Sequence, residues 1–77
     1  MKVDDHALKA VMAAVFQVAP ETIDESSSTD TIATWDSLHH INLIVALEDE
    51  FKVRIPEDEV PNLTSYKIIR LTLEEAP

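Results

Sequence analysis

Asp36, Ser37, His39 and His40 bring a carboxylate, a hydroxyl and two imidazoles within five positions, the one place in the sequence where those three types come so close together. One chemistry they could serve is acyl transfer through a Ser-His-Asp triad, which needs an imidazole aimed at the hydroxyl and oriented from behind by the acid. On a helix opening at Ser37, His40 turns toward the core side and His39 toward another, so neither faces the Ser37 hydroxyl. The chain has no glycine from which to build a nucleophile elbow or an oxyanion loop. A triad is therefore set aside, and no catalytic residue is assigned. His40 reads instead as a partly buried packing residue with one satisfied nitrogen, and His39 as solvent-facing.

The second chemistry is that of phosphate. Ser37 stands where a polar loop gives way to an apolar helix, so its hydroxyl is expected at a helix N-terminus. There the first backbone N–H groups lack internal partners and the dipole is positive, which favours a phosphoester on this oxygen. Metal ligation finds no comparable pattern. His39 and His40 are adjacent rather than four apart, the Glu57 to Glu59 acids lack the glycine and rhythm of a calcium loop, and His6 beside Asp4 and Asp5 reads as solvated. No metal site is expected.

The elements that must position Ser37 follow from periodicity. Leu8, Val11, Met12, Val15 and Phe16 recur on one helical face, which predicts a first helix from Asp4 or Asp5 to Val18, stopped by Pro20. Residues 21–36 are rich in Ser, Thr and Asp and form a long loop, pinned by Ile23, Ile32 and Trp35. Ser26, Ser27 and Ser28 read as turn and cap chemistry within it. A second helix is predicted from Ser37 to Phe51, with Asp36 or Thr34 as N-cap candidates. A short helical segment is expected at Pro56-Glu57-Asp58-Glu59, and a last helix capped by Thr64 with Leu63, Tyr66, Ile69 and Leu73 as its core stripe. Glu74 and Glu75 fall at the unfavourable end of that helix, which is expected to fray.

Seventy-seven residues bound the answer to one small domain, taken as 1–77. Without cysteine, neither disulfides nor a thiolate is available. Met1 to Asp5 does not read as a basic leader and no stretch reaches membrane-spanning length, so a soluble cytoplasmic protein is expected, with Met1 suggesting a free-standing one and an excised domain of a larger synthase as the alternative. Fifteen acids against six basic residues give a net charge of −9. That balance disfavours nucleic acid and anionic membranes and favours basic protein faces.

The second helix carries two apolar arcs. Leu43, Ile44, Leu47 and Phe51 form a core arc. Leu38, Ile41 and Val45 form another that begins beside Ser37 and continues into Glu48 and Asp49. This second arc is either a docking strip or the surface that the preceding loop covers.

Asp36-Ser37-Leu38 opening a helix, the run Ala46-Leu47-Glu48-Asp49-Glu50-Phe51, then Ile55-Pro56 with an acidic short helix and a Thr-capped last helix, together resemble the acyl carrier proteins and their peptidyl carrier relatives over nearly the whole chain. The resemblance implies an all-α fold, a small four-helix bundle with one short third helix and a long loop between the first two. It implies a monomeric, non-catalytic carrier whose Ser37 bears 4′-phosphopantetheine, added from coenzyme A by a phosphopantetheinyl transferase with magnesium. Acyl groups would ride on the terminal thiol as thioesters. Asp36, Leu38, Ile41, Val45, Glu48 and Asp49 would contact acyl-loading and acyl-processing enzymes through basic docking surfaces. An aminoacyl or peptidyl carrier, or an unmodified adaptor, remain alternatives. Thr34-Trp35 replace the glycine common before Asp-Ser-Leu, and His39 and Asn42 stand where acids are common in fatty-acid carriers. These departures point to a specialised rather than a housekeeping carrier.

Overall fold

A computed structural model describes residues 3–75; Met1, at which a free-standing chain is expected to begin, lies outside them. Among the described residues the fold is all-helical, with three α-helices, α1 (Asp5–Phe16), α2 (Ser37–Phe51) and α3 (Tyr66–Glu75), and no strand. Two short 3-10 turns, Pro20–Thr22 and Val60–Asn62, interrupt the connections.

The expected fourth, short helix at Pro56 does not form. Residues 57–59 are turns, and the 3-10 segment begins only at Val60, where Pro61 can sit in a first turn without needing an N–H. The bundle is thus three helices plus a turn where a four-helix count was expected.

Each α-helix forms for a readable reason. α1 starts where Asp4 accepts the His6 N–H at 2.9 Å, and it buries Leu8, Met12, Ala13 and Phe16. It ends at Phe16, two residues short of the expected Val18. Gln17 takes the left-handed conformation at φ 60°, and Val18 N–H returns to the Ala13 carbonyl at 3.1 Å. α2 closes the same way, with Lys52 at φ 56° and Val53 N–H on the Glu48 carbonyl. Both ends are Schellman motifs built without glycine. α3 is started by Ser65 rather than Thr64, since the Ser65 hydroxyl accepts from Ile68 N–H. Its far end remains helical through Glu75, with Glu74 paired to Arg70 at 3.4 Å.

One apolar cluster joins the elements. Leu43, Ile44 and Leu47 of α2 meet Leu8, Met12 and Phe16 of α1 and Tyr66, Ile69 and Leu73 of α3, with Phe51 packed at the margin. The anchors Ile23, Ile32 and Trp35 are all buried in it, so the long loop is bound to the helices along its length. Thr34 adds a hydrogen bond from its hydroxyl to the Phe16 carbonyl at 2.8 Å, tying the end of the loop to the end of α1. Ser27 is buried, its hydroxyl accepting the Asp24 N–H, and Ser28 bridges to Ser65. Those serines do the turn work that their types suggest.

Candidate functional site

Asp36 caps α2 in an extended conformation. Its Oδ1 accepts the His39 backbone N–H at 2.9 Å and lies 2.7 Å from His39 Nδ1. The backbone donor first, and the imidazole second, hold this carboxyl below its ordinary range. Ser37 follows as the first residue of the helix and is exposed. Among the described residues nothing hydrogen-bonds its hydroxyl. The N–H groups left open at this helix start are those of Ser37 and Leu38, because Asp36 has taken that of His39. Room for a phosphoester is therefore narrower than a bare helix N-terminus offers, and it lies on the Ser37 side.

The imidazoles are committed elsewhere. His40 was expected to satisfy one nitrogen and satisfies both. Trp35 Nε1–H donates to its Nδ1 at 3.0 Å, and its Nε2 meets the Val60 carbonyl at 2.7 Å. The His39 ring is half-buried against Asp36 rather than open to solvent. Among the described residues neither imidazole hydrogen-bonds the Ser37 hydroxyl, so no general base is aimed at it.

Ser37 lines a groove of about 480 Å³ together with Trp35, His40, Ile41, Val60 and Pro61. Down the outer face of α2, Leu38, Ile41 and Val45 are 68%, 55% and 62% exposed. The loop packs elsewhere, so it does not cover this strip. Asp49 is exposed at its lower end. Glu48 is half-buried, and its Oε2 accepts the Ile55 N–H at 2.8 Å, holding the chain where it leaves α2. Asp36, Ser37, Leu38, Ile41, Val45 and Asp49 thus share open surface along α2, whereas Glu48 also has a structural task.

Sequence reading missed the Trp35–His40–Val60 contact, although Trp35 and His40 bracketing the helix start were its visible sign. It also missed a smaller apolar pair on α3, Ile68 and Leu71, both exposed.

The chain is 39% identical over 60 residues to a protein of Thermosynechococcus vestitus named acyl carrier protein, an alignment covering 78% of this chain and 74% of that one. It belongs to the acyl carrier protein family. No protein-family model matches it. As an acyl carrier protein it is a carrier and not an enzyme. Members of the family generally carry phosphopantetheine. In this acyl carrier protein the Ser37 hydroxyl is exposed at the head of α2 and has no hydrogen-bond partner among the described residues. No described helix is long and apolar enough to cross a membrane.

Proposed function

We propose that this protein carries acyl groups as thioesters on a 4′-phosphopantetheine arm joined to Ser37, acting as a single carrier domain over residues 1–77. The observation that carries the reading is the Ser37 hydroxyl itself, exposed at the start of α2 and with no hydrogen-bond partner among the described residues, in a chain of this family. When attached, the arm supplies the terminal thiol that a chain without cysteine lacks. The residues have separate tasks. Asp36 fixes the first turn, the open Ser37 and Leu38 N–H groups would be the donors available to the phosphate, and Trp35, His40 and Ile41 line the groove beside it that would offer the arm apolar surface. Leu38, Ile41 and Val45, with Asp36, Glu48 and Asp49 around them, form the strip that partner enzymes grip through apolar and basic side chains.

The partners are a phosphopantetheinyl transferase and acyl-loading and acyl-processing enzymes, met by a monomer in the cytoplasm. Thr34, His39 and Asn42 distinguish the site from that of a fatty-acid carrier and favour a specialised pathway. Thr34 is occupied in tying the loop to α1, and His39 in bonding Asp36.

Incubation with coenzyme A and a promiscuous transferase should add the mass of one phosphopantetheine, and Ser37→Ala should add none. An unchanged mass in the wild type, with partner enzymes still binding, would instead make the protein an unmodified adaptor.

A further inference from the structure

His40 ties together the pieces around Ser37. It belongs to the first turn of α2, it accepts from the indole of Trp35 in the preceding loop, and it reaches the Val60 carbonyl across the groove. The partners fix its tautomer. An indole nitrogen only donates, so Nδ1 carries no proton; a carbonyl only accepts, so Nε2 carries one. The clasp therefore exists only with a neutral imidazole. A second proton, placed on Nδ1, would set one donor against another at the 3.0 Å separation, and the buried indole would lose its partner. Val60 would keep its bond.

Ionisable groups around the clasp come from three places. Asp36 lines the groove from the head of α2, His39 lies on α2 with its ring on Asp36, and Glu59 is half-buried beside Val60 on the turn. None of these side chains hydrogen-bonds the His40 ring, although the Asp36 carbonyl accepts the His40 backbone N–H at 2.8 Å. Phe16 of α1 meets Trp35 through its ring alone, at 4.7 Å between centroids.

We propose that His40 is a positioning residue for the attachment site: its neutral ring clamps Trp35 to the Val60 turn, setting Asp36 and Ser37 for the transferase, and acidification releases that clamp. The proposal rests on Ser37 being the pantetheinylated residue. It adds a pH-dependent competence to that role.

Trp35 is the only tryptophan, so its emission and its indole N–H resonance report the clasp without a label. Both are followed in the unmodified protein from about pH 8 to pH 5, the span over which imidazoles exchange protons, alongside kcat/KM for arm transfer from coenzyme A. His40→Gln is the informative variant, since a carboxamide can accept from Trp35 and donate to Val60 without titrating. The wild-type indole signals should move with acidification, and its kcat/KM should fall roughly three- to tenfold relative to His40→Gln, about the worth of one hydrogen bond. His40→Leu should be slow throughout. Parallel pH profiles for wild type and His40→Gln would overturn the proposal. So would an indole resonance that stays fixed through the scan, a measurement that needs no variant to fold. If no variant gains the arm at any pH, the assignment of Ser37 fails instead, and the indole signals still decide the clasp.

Discussion

Glu48 and Asp49 are neighbours with the same charge and opposite obligations. Asp49 is exposed on the line of the apolar strip, while Glu48 spends one oxygen on the Ile55 N–H. Reversing Asp49 to Lys should weaken loading by partner enzymes while leaving the thermal transition in place. Glu48→Lys should lower both, because it removes the acceptor from a half-buried N–H. A Glu48→Gln variant separates the effects, since its amide oxygen can still accept from Ile55 while the charge is gone. Equal loading rates for Asp49→Lys and wild type would remove Asp49 from the docking strip. At this scale the sequence was partly legible. The placement of Ser37 as an exposed hydroxyl at a helix start could be read, because a polar stretch giving way to an amphipathic helix is a local pattern. Both bonds of His40 could not, since Val60 lies twenty positions away and only the fold brings it near.

The three helices were legible because apolar periodicity and capping residues are encoded within each segment. α2 runs from Ser37 to Phe51 as its pattern predicts. The misread boundaries are all places where the deciding signal was absent or lay elsewhere. α1 stops at a left-handed Gln17, a place where glycine is the usual sign, and the chain has none. Ser65 displaced Thr64 as the cap because the Ser28–Ser65 bridge, with Tyr66 N–H on the Ser27 carbonyl, sets the register of α3 from the distant loop. The turn at Val60 is closed by local backbone bonds to the Pro56, Glu57 and Glu59 carbonyls, and His40 adds one bond to it from α2. A prediction follows for the helix ends. Gln17→Gly should stabilise the fold by about 0.5–1 kcal/mol, because glycine relieves the left-handed strain at some cost in chain entropy. Denaturant unfolding that shows a loss would mean the Gln17 side chain contributes something that its backbone does not reveal.

For the molecule as a whole, stability rests on one small core, and α2 serves it with one face while the other is left open. Leu47 is fully buried at the centre of that arrangement. Leu47→Ala should cost about 2–5 kcal/mol in denaturant unfolding, a large share of what a domain of this size has available. Leu38→Ala, on the open face, should leave the midpoint nearly unchanged. The division between the two arcs was legible in their spacing, but which arc the loop would cover was not. That outcome depended on Ile23, Ile32 and Trp35 entering the core beneath the loop.

Residues 17–36 would be an inviting target for proteases if judged by length and composition. Yet this segment is fastened at its start by the end of α1, along its middle by Ile23, Ser27 and Ile32, and at its close by Trp35 and the Thr34 bond to Phe16. Trypsin has nothing to cut between Lys9 and Lys52, whereas a glutamate-specific protease meets Glu21 and Glu25 on the surface. Backbone held this closely does not readily extend into a protease cleft. Nicking at those glutamates would therefore measure how often the loop lifts from the helices, and with it how steadily Ser37 is presented.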